Sequence, residues 1–330
     1  MNESSATTAR RARACPRASR WDGHGTLASA LTVVRTLRPK GVFAVTTLGI
    51  VILSAFVGNA LWQVDPSFQQ LNARLLPPLG VGYDGAYHIL GTDHLGRDLL
   101  ARTLVGARVS LLVALLAVGV AAIVGVGVGL VSGVFGGRVD HVFMTCVDVQ
   151  LALPFTLLAI CIAAITGPSL VNVILVLTAT GWVTFARVVR SQVLSLRQMD
   201  FIAAAYGLGC GPGRLLLRYL LPNCASTIIV IASFAAARMI VAEATISFLG
   251  VGVPSWIPSW GSMISDGRTY LPVAWWVAII PGGAITLSVI AINLLGDWLR
   301  DRLDPRLASP SDLVGILRGK GQGRADAERA

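Results

Sequence analysis

Charge is what this sequence most conspicuously lacks. Asp, Glu, Lys and Arg make up 13% of its 330 residues, about half the share found in an ordinary soluble domain. So few ionisable groups cannot clothe a chain of this length in a solvated surface, which excludes an ordinary water-soluble globule. Cysteine is scarce as well: five residues, no CxxC pair and no regular spacing, which excludes a disulfide scaffold. Cys146, Cys161 and Cys224 sit in or beside apolar runs, where a small thiol packs as a hydrophobe. The four histidines (His24, His88, His94 and His141) are scattered, with no HExxH or His/Cys cluster, so no metal site is expected. No GxxxxGK[ST] pattern occurs, so the chain has no phosphate cradle of its own. Neither a cofactor nor a catalytic residue is expected.

What is present is apolar. Hydrophobic residues make up 54% of the chain and the mean hydropathy is +0.70. A bilayer core about 30 Å thick needs roughly 20 apolar residues in a helix. Six stretches meet that length, at 42–63, 108–133, 143–166, 170–186, 224–248 and 275–295. In hydrocarbon each must satisfy its backbone internally, so each reads as a helix and the fold class as an all-α membrane protein with six transmembrane helices. The leader at 1–41 is too long for the charged start of a signal peptide, so 42–63 reads as a retained anchor.

A formal net charge of +10 invites a nucleic-acid reading, but the distribution of the basic residues points elsewhere. Eight lie in 1–41, one at Arg138, five in 187–223 and seven from Asp297 onward, so that 21 of the 27 fall on one side of a six-span chain. Lys/Arg enrichment marks cytoplasmic segments. Both termini are therefore expected in the cytoplasm, with basic tails at 1–41 and 297–330, an outer segment at 64–107 and a membrane core at 108–296. Nucleic acid is not expected as a partner. The extreme tails, 1–30 and 308–330, are rich in Arg, Ala, Ser and Gly and read as disordered.

Between the spans, the run Leu90 to Leu100 reads as an interface helix capped by Thr92 or Asp93. In the second span Gly119, Gly125, Gly127, Gly129 and Gly133 predict close helix packing. Pro154 and Pro281 predict kinks. Trp256, Trp260, Tyr270, Trp275 and Trp276 mark a membrane–water boundary. The inner segment 187–223 is much longer than a usual bundle connection. It reads as two short helices about a joint at Gly209-Cys210-Gly211-Pro212-Gly213, the second ending at Pro222-Asn223.

At this point the residues resemble a known family. Asp200-Phe201-Ile202-Ala203-Ala204-Ala205-Tyr206-Gly207-Leu208-Gly209, followed by Leu221-Pro222-Asn223, is similar to the EAA loop of ABC importer permeases. Further stretches resemble the C-type permease of the dipeptide/oligopeptide/nickel group. They include Leu90-Gly91-Thr92-Asp93 with Gly96-Arg97-Asp98, Phe135-Gly136-Gly137-Arg138-Val139-Asp140, Ser247-Phe248-Leu249-Gly250 and Asn293-Leu294-Leu295-Gly296-Asp297. The resemblance spans residues 40 to 307 and implies a type-1 ABC importer permease (MetI-like) bundle. It also implies a homologous second permease subunit, two ABC ATPase subunits and an extracytoplasmic solute-binding protein. By the same resemblance, the stretch with Asp200, Ala203, Ala204, Ala205, Gly209, Leu221 and Pro222 docks the ATPase and passes its closure to the pore. ATP hydrolysis then belongs to the partners and di- or oligopeptides are the implied cargo, with nickel or another small solute as the alternative. One departure stands out: Ala203 occupies the motif's Glu position, and Asp200 is the nearest acid on the same helical face.

Ionisable residues within spans call for a functional hypothesis. Arg238, 16 residues past Pro222 and so about 24 Å along a helix, Glu243 one turn beyond it, and Asp148 near the inner side are the candidates for lining the translocation path. Few acids in the spans and no evident internal repeat count against an ATP-independent secondary transporter.

Overall fold

The computed structural model describes residues 39–61, 64–82, 85–254 and 256–303. The tails expected at 1–30 and 308–330 lie outside the described residues.

Helix α1 (Pro39–Leu61) is followed by the segment expected to lie outside, with a short 3-10 turn (Leu71–Ala73) and a two-stranded hairpin. Its strands, β1 (Gly80–Val81) and β2 (Tyr87–His88), pair antiparallel with Gly80 opposite His88. Helix α2 (Leu99–Phe135) has 37 residues and is about 55 Å long. It begins nine residues before the apolar run at 108, because the cap is neither Thr92 nor Asp93 but Asp98, whose carboxylate accepts from the Ala101 N–H at 2.8 Å. The expected interface helix over Leu90 to Leu100 is instead a turn, closed by a bridge between Thr92 and Asp98. Hydropathy missed the early start because Arg102 and Thr103 belong to the helix despite their polarity.

The expected third span, 143–166, is two helices bent by 83°: α3 (Gly137–Ala152) and α4 (Phe155–Thr166). Leu153, forced into an extended conformation (φ −88°, ψ 119°) by the ring of Pro154 that follows it, ends α3. Helix α5 (Leu170–Leu196) runs ten residues past the predicted fourth span, and α6 (Asp200–Gly207) follows a three-residue turn. From Pro212 the chain is helical as far as Phe248, through α7 (Pro212–Leu215), a π-helical stretch (Leu216–Leu220) and α8 (Leu221–Phe248). Pro222 therefore does not stop a helix. It sits in the first turn of α8, where a missing N–H costs little, and the π stretch before it accommodates the ring. Helices α9 (Trp260–Gly267) and α10 (Trp276–Leu303) are the last among the described residues, and α10 runs on through the buried Pro281.

Among the described residues, four helical segments are long and apolar enough to cross a membrane: α2, α5, the run 212–248 and α10. The bent pair α3–α4 makes a fifth if taken as one span, and α1 contributes a shorter apolar helix over Gly41–Phe56. Among the described residues an apolar helix overlaps each of the six predicted stretches, but only four of them are continuous and long enough to span.

The core is built on α2 and α5. Three of the six glycines of α2, Gly125, Gly129 and Gly133, turn toward α5: a Cβ on Gly129 would lie 2.7 Å from the Ala186 carbonyl, and one on Gly133 2.6 Å from Val193. Gly119 and Gly127 have nothing within 4 Å and face away. Spaced every four residues, the three form one stripe on which two backbones touch, the arrangement that gives dispersion its reach in lipid. Alanines 114, 117 and 121 of α2 pack with Leu177, Phe185 and Ile240 beyond the stripe. Outside this core many large apolar side chains remain exposed, Ile123 and Ile165 among them, as expected of a surface that meets lipid or other apolar chains rather than water.

Candidate functional site

Helix α6 has two unlike faces. Ile202 and Ala205 are buried, 0% and 5% exposed, and pack with Val193 and Leu196 of α5, Leu130 and Val134 of α2, and Leu215 of α7. Asp200, Ala203, Ala204, Tyr206 and Leu208 are exposed on the other side. The helix ends in a two-bond cap: the Cys210 N–H donates to the Ala205 carbonyl at 3.1 Å and the Gly209 N–H to Tyr206 at 2.9 Å. That geometry puts Gly209 at φ +76°, the left-handed region that glycine enters without a steric penalty. Cys210, just past the joint, is buried against the same seat. Leu221 is half-buried beside it. Pro222 lines a cleft of about 730 Å³ together with Gln192, Asn223 and Arg300. The residues expected to form the ATPase-docking element thus lie around one short helix on a buried seat. Ala203, which takes the acidic position of the motif, presents only a methyl group, and Asp200 in the first turn is the acid that α6 carries.

Behind the seat, Arg190 of α5 forks onto Asp140 of α3, with Nε–Oδ1 at 2.5 Å and Nη2–Oδ2 at 2.6 Å, and the Ser132 hydroxyl donates to the same carboxylate. Arg197 donates to the Gly133 carbonyl at 2.9 Å. Asp148, a candidate for the translocation path, pairs with Arg187 at 2.6 Å on an exposed face of the chain.

The other two path candidates, both on α8, are placed very differently. Glu243 is 0% exposed. Its carboxylate accepts from Ser110 at 3.1 Å and Ser247 at 2.8 Å, and Ser110 in turn accepts from the Trp260 N–H at 3.3 Å. It therefore ties α2 and α9 to α8 from inside the chain. Arg238 is exposed, although Ala237, Met239 and Ile240 around it are buried.

A second charge network lies at the opposite end of the chain from α6, where α2 starts, and sequence reasoning missed it. Arg97 meets Asp93 at 2.6 Å and Asp266 of α9 at 3.4 Å, and Arg102 approaches the same two acids at 3.6 and 3.7 Å. All but Asp266 are at most 6% exposed. His88 of the hairpin lies 2.8 Å from Asp98, and the Thr92 hydroxyl accepts from the Leu76 N–H at 2.9 Å while donating to Ala73. The outer segment is thereby clamped onto α9 and the start of α2. The signal was in the sequence, where Thr92-Asp93 and Gly96-Arg97-Asp98 crowd charge into one turn, but their partner Asp266 lies 169 residues from Arg97. Among the described residues, no three His, Cys, Asp or Glu side chains come together in a way that could hold a metal ion.

With this geometry in place, the comparisons with known proteins decide the family. Residues 125–309 match the model of the binding-protein-dependent transport system inner membrane component. The chain belongs to that family. It is 43% identical over 271 residues to the dipeptide transport system permease protein DppC of Escherichia coli (strain K12), covering 82% of this chain and 90% of that one. It is 40% identical over 258 residues to the di/tripeptide transport system permease protein DppC of Pseudomonas aeruginosa (strain UCBPP-PA14), covering 78% and 85%. In fold it resembles a chain of the inward-facing MetNI methionine ABC transporter, with a TM-score of 0.51 at 19% identity over 60% of this chain and 94% of that one. As an inner membrane component of this family, the chain is a transport permease with the type-1 importer fold.

Proposed function

We propose that the chain is the translocation subunit of an ATP-driven importer of di- and oligopeptides. It pairs with a homologous permease, rests on two ATPase subunits that hydrolyse the ATP, and receives cargo from an extracytoplasmic binding protein. The peptide assignment draws on the names of the DppC relatives. The observation that carries the coupling role is the two-faced helix α6, held on a buried seat and ended by Gly209 at φ +76°. A short element that shows one face outward and is anchored by the other suits a groove on a partner. Its closure would drive the rigid-body movement of spans that alternating access needs. Both termini and α6 belong to the cytoplasmic side in this reading, since Arg187, Arg190, Arg197, Arg214 and Arg218 all lie in or beside this element. Arg238 belongs to the translocation path, whereas Glu243 and Asp148 hold helices together beside it.

The test is Gly209→Val. A β-branched residue in the left-handed region costs about 1–2 kcal/mol, enough to reset the end of α6. The complex should lose association with its ATPase subunits, ATP-dependent peptide uptake, or both. Uptake and association at the parent level would refute the docking role.

A further inference from the structure

Helix α6 is three residues from the end of α5, so a displacement of α6 first reaches whatever is fastened to that end. Two arginines seven residues apart do the fastening, Arg190 within α5 and Arg197 at the cap just past its last residue. Arg190 grips Asp140 through two parallel bonds of 2.5 and 2.6 Å, and Arg197 holds the Gly133 carbonyl at 2.9 Å. A forked charge-assisted pair fixes orientation as well as distance, and Gly133 offers one of the carbonyls that the end of a helix leaves free. Gly136 and Gly137, at φ +62° and +51°, turn the chain so sharply that Asp140 lies in the first turn of α3, directly against the end of α2. The end of α5, the end of α2 and the start of α3 therefore form one body. The far end of α3 is the 83° break before Pro154, where a rotation of α3 can be absorbed.

Building on the docking role proposed for α6, we infer that the Arg190–Asp140 fork is the positioning pair that carries movement of α6 into the broken span α3–α4. The fork acts on transport through helix geometry and touches neither cargo nor nucleotide.

The experiment uses the whole complex in proteoliposomes, with its ATPase and binding-protein subunits and a dipeptide as cargo, and reads peptide taken up per ATP hydrolysed. Asp140→Asn and Arg190→Gln should still co-purify with the ATPase subunits and hydrolyse ATP, but with uptake per ATP lowered roughly fivefold or more. The exchange Asp140→Arg with Arg190→Asp should recover much of the ratio. A merely structural role would lower the amount of assembled complex and leave the ratio unchanged, and an unchanged ratio in both single variants overturns the inference. If those variants fail to assemble, Arg190→Lys supplies the same reading, because it keeps the charge and loses the fork: a lowered ratio supports the inference and the parent ratio overturns it. Absence of ATP-dependent uptake in the parent complex would instead overturn the importer reading on which the inference rests.

Discussion

At position 238 an arginine lies exposed on a helix whose neighbours at 237, 239 and 240 are buried. A charged arginine within a span is costly against hydrocarbon, so an exposed one favours a water-lined path, a polar partner or a head that snorkels to the interface. Within the proposed path it would attract the carboxylate that every linear peptide carries, through planar bidentate recognition. Arg238→Met keeps much of the length and removes the charge. It should lower uptake by about tenfold, a loss of about 1.4 kcal/mol, while leaving the amount of assembled complex unchanged. Arg238→Lys should retain part of the activity. Loss of the complex itself, read by co-purification of the second permease, would move Arg238 from the path to the subunit interface. The sequence could list Arg238, Glu243 and Asp148 as ionisable residues in spans, but not which way each one faces. Glu243 is buried by Ser110, which is 133 residues away in the chain, and Asp148 is answered by Arg187, 39 residues away. Burial and pairing are set by such distant neighbours, which no local pattern records.

At the scale of elements, what the sequence made legible was whatever depends on a residue's own chemistry. Gly209 was readable as a joint because few other residues enter the left-handed region, and Pro154 as a kink because its ring disfavours the helix before it, though not as the 83° break the structure shows. Pro222 looked the same in sequence and acts the opposite way, because the π-helical stretch at 216–220 lets it begin a helix. The start of α2 was hidden for a different reason. Hydropathy reports the lipid boundary, whereas Asp98 sets the helix boundary, and the two differ by nine residues. Glycine count predicted tight packing in α2, but only geometry separates the stripe from its neighbours, and that separation gives a controlled prediction. Replacing Gly by Ala inside a helix gains about 1 kcal/mol of propensity, and overpacking costs about 1–3 kcal/mol. At Gly129 the new methyl would lie 2.7 Å from the Ala186 carbonyl and 2.9 Å from Val189, so the clash wins and Gly129→Ala should lower the Tm of the detergent-solubilised protein. At Gly127, with nothing within 4 Å, Ala should leave Tm unchanged or raise it. Equal effects at the two positions would refute the stripe.

For the molecule as a whole, the two ends are built from different materials, which fits a machine worked from one side. The end expected to face outward is clamped: the hairpin segment is held to α9 by Asp93, Arg97, Arg102 and Asp266. Breaking one member of such a buried network costs about 3–5 kcal/mol, so this end is suited to remaining rigid. The other end carries α6 on a short turn, a glycine joint and an arginine fork, a set of parts suited to moving as a unit. The proposed orientation rests on Lys/Arg asymmetry, a bias of insertion rather than of packing, and is open to direct measurement. In a cysteine-free background, Tyr87→Cys on the outer hairpin and Tyr206→Cys on α6 each replace an exposed side chain, at 71% and 44% exposure. A membrane-impermeant maleimide added to intact spheroplasts should label the first and spare the second. After lysis it should label both, and saturating ATPase subunits should then protect position 206 alone. Labelling of position 206 from outside would invert the molecule, and with it the side on which any motor could act. Labelling after lysis that the ATPase subunits leave undiminished would keep the orientation but remove α6 as the contact.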